Sequence, residues 1–158
     1  MNNLSFTTMI DNGTLYGSSL LLLLDQYKED LLGYEAHLSI DDKNFSQSVH
    51  DQIGWNTYYK IRLNELKSIS RGFEHKLDIK IGELTANYNE NYNTKLPVSV
   101  ISKYVDREEI IRLIVKDINE CKEVTDMYDA VCEGFKSRGF LIKSITESKV
   151  HNFYDEDL

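Results

Sequence analysis

Apolar residues at helical spacing in the middle of the chain constrain its fold most. They recur every three or four positions, at Tyr59, Leu63, Leu66, Ile69, Phe73, Leu77, Ile81, Leu84 and Tyr88. Such steps keep side chains on one side of an α-helix, so the spacing predicts one helix from about residue 49 to 91. That helix is about 65 Å long, whereas a compact globule of this size is only about 40 Å across. The spacing therefore predicts an all-α, elongated protomer and partner chains that cover the helix.

Shorter patterns precede this central helix. Dense apolar residues from Leu15 to about Leu38 predict a first helix, and residues 40–44 predict a turn. Ser48, with Asp51 three residues later, predicts the N-cap of the central helix.

A break and a third helix follow the central helix. Pro97 marks the break, and the alternation of apolar residues over 96–100 favours a short strand there. Asp106 and Glu109 form a capping pair, which predicts that a third helix starts at this point.

The third helix is predicted to run to about Arg138. Gly139 suits the left-handed residue after a helix end, and Phe140 suits the hydrophobic contact that accompanies such an end. A short C-terminal element is expected to follow.

Heptad spacing marks a seam along the third helix. One core position holds Ile111, Ile118, Thr125 and Cys132, and the other holds Ile114, Cys121, Tyr128 and Phe135. Four heptads suit a seam within one chain or between chains, and the spacing leaves both open. On the second interpretation, the predicted oligomerisation residues are Ile111, Ile114, Ile118, Cys121, Tyr128 and Phe135.

The chain length of 158 residues fits one domain. We predict a flexible N-terminus over 1–14, a single helical domain over 15–150 and an acidic tail over 151–158.

The sequence carries no recognisable catalytic or metal-binding motif. A Gly-rich phosphate loop and a G-x-S-x-G elbow are missing, and the four histidines are far apart. Cys121 and Cys132 lack C-x-x-C spacing and are predicted to be small buried hydrophobic residues. We therefore expect no enzyme activity, no cofactor and no metal.

The longest apolar run, Leu20–Leu24, is far shorter than the roughly 20 residues that cross a bilayer. The residues before it carry no Lys or Arg and do not resemble a secretory signal. We expect a cytoplasmic protein that does not enter a membrane.

Charge is distributed in blocks although the formal net charge is -8. Residues 59–103 hold 8 basic and 5 acidic side chains, a net +3, and residues 135–151 hold 4 and 1, also +3. The rest of the chain is acidic. Two basic islands of this kind suit contacts with phosphates, although charge blocks are also ordinary solvated faces.

Two segments resemble a known family. The run Phe135–Ile145, Phe-Lys-Ser-Arg-Gly-Phe-Leu-Ile-Lys-Ser-Ile, is similar to the C-terminal signature of the UvsY-like recombination mediators of T-even-like phages. Upstream, Leu38–Asp41 and the aromatic segment Trp55–Leu63 resemble the family's Ile-Asp turn and the start of its central helix. The order and spacing of the helices agree, so the resemblance covers residues 30–150.

This resemblance implies a recombination mediator that forms a ring-like homo-oligomer and binds single-stranded DNA. The implied protein partners are the phage recombinase (UvsX-like) and the phage single-strand-binding protein that the recombinase replaces on DNA. No cofactor or catalysis is implied.

One departure concerns DNA binding. The family's Lys-Ala-Arg-Leu run, which is linked to DNA binding, is replaced here by Thr85–Tyr88, which carries no basic residue. Binding must then use other residues, including an aromatic ring on which bases can stack. The predicted DNA-binding residues are Lys60, Arg62, Lys67, Arg71, Lys76, Lys80 and Tyr88 of the central helix, with Lys136, Arg138 and Lys143 near the C-terminus.

Two other functions remain open. The acidic blocks at 25–51 and 106–133 would suit an acidic helical inhibitor that mimics DNA. The heptad seam would suit an all-α assembly chaperone. Salt-sensitive binding of a labelled oligonucleotide separates the mediator from both.

Overall fold

The computed structural model describes residues 5–40, 43, 45–91 and 96–155, with side chains to residue 150. Within these ranges the chain forms six helices and no strand, which confirms the all-α prediction. The helices are α1 (Phe6–Asp11), α2 (Gly17–Asp30), α3 (Tyr34–Leu38), α4 (Phe45–Asn91), α5 (Val98–Val105) and α6 (Glu109–Asp155).

Two compact units divide the chain, and each is assembled from separate segments. The first unit comprises Met1–Glu29 and Glu65–Thr125, and the second comprises Asp30–Asn64 and Asp126–Leu158. Helices α4 and α6 each contribute residues to both units.

The first unit buries the apolar faces of α1, α2 and α5 together with parts of α4 and α6. Residue Ile10 of α1 is fully buried, and its carbonyl accepts a hydrogen bond from Lys76 Nζ at 3.0 Å. Helix α1 is capped by Ser5, whose side chain accepts from the Thr8 N–H at 3.2 Å. The part of the predicted flexible N-terminus that is described is therefore a capped helix that contributes to the core. The domain boundaries themselves stay predictions.

A second group of apolar residues in this unit surrounds α5. Ile101, Val105 and Ile111 are buried together, and Leu77 and Leu84 of α4 pack against them partly buried. The later part of the predicted stripe on α4 is thus covered by α5.

In the second unit the first part of α4 packs antiparallel to the last part of α6. Gln52 Nε2 donates to the Phe135 carbonyl at 2.7 Å, and Arg138 Nη1 donates to the Ser48 carbonyl at 3.0 Å. The Tyr59 ring lies 5.3 Å from the Phe135 ring and is also fully buried.

The central helix was predicted well in its extent but not in its cap. Helix α4 ends at Asn91 as expected and begins at Phe45, about one turn earlier than predicted. Ser48 therefore lies inside the helix, where it is buried, and its prediction as N-cap is wrong. The predicted turn at 40–44 falls mostly outside the described residues.

The other boundaries differ in four places. The prediction of Asp106 as the cap of the third helix is wrong, because Asp106 is the C-cap of α5 and α6 begins at Glu109. The predicted first helix is divided into α2 and α3, because Gly33 has a φ of 85° that an α-helix does not continue through. The strand predicted over 96–100 is wrong, because Val98–Val105 is helical and Pro97 occupies the N-cap position before it. The predicted helix end at Arg138 is also wrong, because α6 continues to Asp155.

Candidate nucleic-acid interface

Three predicted DNA-binding residues lie on one face of α4. Lys60, Lys67 and Arg71 are separated by seven and four residues, which keeps them on one side of the helix. Lys60 and Arg71 are exposed and Lys67 is half-buried. Arg71 Nε donates to the Lys67 carbonyl at 3.2 Å, so its guanidinium lies against the helix. We call Lys60, Lys67 and Arg71 the basic face.

Arg62 is engaged within the chain. Its guanidinium pairs with the Asp30 carboxylate at 2.8 Å and lies 5.6 Å from the centre of the Tyr58 ring. Both members of the ion pair are about one-third exposed, at 34% and 33%. The neighbouring carboxylate offsets much of the positive charge that Arg62 would offer to a phosphate.

The other two lysines predicted on α4 also have partners. Lys76 holds the Ile10 carbonyl, as described above, and Lys80 forms an ion pair with Glu83 one turn further along the helix. Their ammonium groups stabilise the fold or the helix surface.

Tyr88 was predicted to stack on bases, and the structure places it elsewhere. Its hydroxyl donates to the Glu108 carboxylate, and its ring stacks on Tyr104 with centroids 5.8 Å apart. The ring also packs against the buried group around α5. Tyr88 is therefore half-buried and engaged within the chain, and its role in stacking on bases stays a prediction.

Near the C-terminus two of the predicted cations are on the surface. Lys136 is exposed and pairs with Glu133, and this hydrogen bond and charge raise the pKa of Lys136. Lys143 is exposed and lies 3.9 Å from the Glu147 carboxylate. Exposed pairs of this kind are weak and can be exchanged for phosphate contacts.

Arg138, the third of that group, is buried and only 6% exposed. Its Nη1 donates to the Ser48 carbonyl and to Gln52 Oε1, at 3.0 and 2.5 Å. Burial lowers the pKa of the guanidinium, while the Asp51 carboxylate acts in the opposite direction. Its prediction as a surface contact for DNA phosphates is wrong, because it joins α6 to α4.

The predicted oligomerisation residues belong to the protomer's own core. Five of the six are buried within the chain and Ile118 is half-buried. The seam thus packs within the chain, as the intramolecular alternative has it, and a role of these residues between copies stays a prediction. The two cysteines are buried and form no disulfide, as predicted. Burial, with Asp117 and Glu120 adding, raises the pKa of the Cys121 thiol to about 12.

An aromatic cluster occupies the second unit: His37, Trp55, Tyr58, Tyr59 and Phe135. The His37 and Trp55 rings stack with centroids 3.5 Å apart at 12°, and Tyr58 meets Trp55 edge-on at 6.0 Å. His37 Nδ1 and the Tyr59 hydroxyl form a hydrogen bond of 2.9 Å.

Burial keeps this cluster neutral. It lowers the pKa of His37, and it raises the pKa of Tyr59, to which the Tyr58 and Asp30 charges add. The cluster was not predicted as a unit, although the i, i+3 and i+4 spacing of Trp55, Tyr58 and Tyr59 was a usable signal. No spacing rule could have brought His37 to them.

No group of three or more His, Cys, Asp or Glu side chains in the described ranges is placed to hold a metal ion. Among the same residues, no helix combines the length and the apolar content that crossing a membrane requires.

The described residues define an all-α protein built on two helices of 47 residues each. Its fold is similar to that of the bacteriophage T4 recombination mediator protein UvsY, known from a crystal structure. The likeness covers 82% of this chain and 98% of that chain, with a TM-score of 0.63 and 13% sequence identity. It confirms a structural relationship to UvsY at the level of the fold. Neither a protein-family model nor a curated protein sequence matches the chain.

Proposed function

We propose that this protein is a recombination mediator that binds single-stranded DNA through the basic face of α4. The observation that carries the proposal is the likeness of its fold to the T4 recombination mediator, over nearly the whole of that chain. The exposed positions of Lys60 and Arg71 support the placement of the DNA contact.

Electrostatics decide the conditions under which the basic face can act. The chain is acidic overall, with a net charge of -8, but charges on a surface are screened over about 10 Å at 0.1 M salt. At that ionic strength a DNA strand on the basic face interacts mainly with nearby cations. In dilute buffer the distant acidic residues also repel it.

The test is a salt titration with a fluorescently labelled oligonucleotide. For single strands the logarithm of affinity falls by about 0.7 per log unit of salt for each phosphate neutralised. Changing Lys60, Lys67 and Arg71 to Ala removes three contacts and should flatten the log–log slope by about 2 per protomer engaged.

A matched control makes the same change in net charge elsewhere. Lys103, Lys116 and Lys122 are exposed and lie off the basic face. Their triple Ala variant should keep the wild-type slope. No binding by the wild type at moderate salt would refute the proposed function, and equal slopes for both triple variants would refute the basic face.

The wider role follows from the same proposal. The mediator would assemble as a homo-oligomer, help a UvsX-like recombinase replace the phage single-strand-binding protein on DNA, act in the host cytoplasm and catalyse no reaction. Light scattering with and without DNA tests the assembly. A strand-exchange reaction with recombinase and single-strand-binding protein tests the loading, and the expected result is a shorter lag when this protein is added.

A further inference from the structure

A cavity of about 250 Å³ lies in the second unit beside the aromatic cluster. The residues that line it include His37, Trp55, Asp51 and Arg138. A second hollow on α4 shares Asp51 and Trp55 with it. The cavity thus combines flat aromatic surface with one negative and one positive side chain.

Arg138 enters this cavity with hydrogen-bonding capacity to spare. Its Nη1 is used by Ser48 and Gln52, but its Nε is buried and has no hydrogen-bond partner among the described residues. That Nε has almost no accessible surface, so an occupant of the cavity meets Arg138 at the outer nitrogens of its guanidinium. The Nη1 and Nη2 groups together carry more N–H donors than the bonds to Ser48 and Gln52 use, which leaves donors for an acceptor from outside the chain.

Asp51 supplies the complementary acceptor. Its Oδ1 accepts from Gln47 Nε2 at 2.9 Å, and an ionised carboxylate has further lone pairs to offer. An occupant that donates to Asp51 and accepts from Arg138 would use both groups.

Charge and size restrict the occupant further. Asp51 disfavours an anion such as a phosphate, and Arg138 disfavours a cation, so a neutral ligand fits best. The volume lies below the roughly 300–1,000 Å³ typical of drug-sized ligands, which favours a single ring system over a whole nucleotide. The stacked rings of His37 and Trp55 favour a planar π-system.

We propose that this cavity binds one unpaired nucleobase of a single strand, held against Trp55 with its polar edge between Asp51 and Arg138. Nucleobases are neutral and planar and carry donors and acceptors on one edge. The inference rests on the proposed function, because single-stranded DNA supplies the base. It adds a base contact to a protein whose other predicted contacts are with phosphates.

Fluorescence offers a direct test because Trp55 is the chain's one tryptophan. Its intrinsic emission should be quenched by the four deoxynucleosides added singly and by an oligonucleotide. An oligonucleotide of abasic sites should bind about 5- to 150-fold more weakly, the range for losing one base–aromatic stack, and should leave the emission unchanged.

A larger side chain that fills the cavity tests the base site by mutation. Ala36 is exposed and lines the cavity, so Ala36→Leu should abolish the quenching and weaken oligonucleotide binding at least 5-fold. Ala130 is an exposed helical alanine away from the cavity, and Ala130→Leu should behave as the wild type. The triple Ala variant of the basic face should weaken oligonucleotide binding and leave quenching by nucleosides intact.

The outcomes separate the two proposals. Oligonucleotide binding measured by anisotropy without any change in Trp55 emission would overturn the base site and leave the proposed function standing. Quenching by nucleosides without oligonucleotide binding would overturn the proposed function and leave a cavity that binds free nucleosides. Quenching that survives Ala36→Leu would also overturn the base site.

Discussion

Replacing Arg138 by Met removes the guanidinium that joins α6 to α4 while it keeps an unbranched apolar side chain. Two hydrogen bonds are lost, to the Ser48 carbonyl and to Gln52 Oε1. A hydrogen bond to a charged group contributes about 1.5–3 kcal/mol to stability, so the gross loss is about 3–6 kcal/mol. Removing a buried charge with an unsatisfied Nε returns about 1–3 kcal/mol of this. The net loss then lies within about 0–5 kcal/mol, and the midpoints of the two ranges give an expectation of about 2–3 kcal/mol.

Thermal unfolding followed by circular dichroism measures this loss. For a chain of this length each kcal/mol lowers Tm by about 2–4 °C, so Arg138→Met should melt about 4–12 °C below wild type. Lys143→Met is the matched control, since it also replaces a cation by Met, at an exposed site on the same helix. It should stay within about 0.5 kcal/mol of wild type. If the two variants melt alike, Arg138 does not stabilise the fold as argued.

Three further predictions concern single residues. The pKa of His37 is lowered below its ordinary 6.5, so at acidic pH the folded state binds fewer protons than the unfolded chain. The free energy of unfolding should therefore decrease as pH falls from above 6.5, by at most about 1.4 kcal/mol per pH unit. Urea titrations of His37→Gln at several pH values should lack this component. With a thiol pKa of about 12 in a buried site, Cys121 should not react with a thiol reagent at neutral pH until urea unfolds the chain; rapid labelling of the native protein, located by mass spectrometry, would contradict this. Gly54 lies inside α4 with nothing within 4 Å of an added Cβ, so Gly54→Ala should raise the urea midpoint by the equivalent of about 0.5–1 kcal/mol. A Cβ on Gly72 would lie 2.6 Å from the Ile10 side chain, so Gly72→Ala should gain less stability or lose some.

Apolar periodicity predicted the parts of the fold that depend on local sequence alone. Tyr59, Leu63, Leu66, Ile69 and Phe73 follow the predicted stripe of α4 and are all buried. A repeat sustained over many turns has one helical solution, so the class of fold and the extent of α4 could be read directly.

The end of the third helix could not be predicted because its cause is tertiary. Gly139 was assigned a left-handed conformation, but it is helical, and a Cβ there would lie 3.2 Å from Gln52 Nε2. Glycine at this position allows a neighbouring side chain to approach closely. A glycine that ends a helix and one that admits a partner look alike in a sequence.

Only part of the candidate interface could be predicted, again because tertiary contacts decide the rest. Lys60 and Arg71 could be placed on an exposed face by spacing alone. Arg138 and Tyr88 carry the right chemistry for DNA, but their partners are Ser48 of α4 and Glu108, which directly precedes α6. Which polar side chains a fold uses internally depends on contacts between segments distant in sequence.

The order of segments in the two units has a consequence for synthesis on the ribosome. Each unit combines an early segment with a late one, and the hydrogen bond from Gln52 to Phe135 joins residues 83 positions apart. At about 5–20 residues per second, roughly 4–17 s separate the translation of these two residues. Throughout that interval Tyr59 lacks the Tyr128 and Phe135 rings of α6 against which it packs. The nascent chain therefore presents an uncovered aromatic surface to chaperones, and neither unit can complete its core until the second half of the chain has left the exit tunnel.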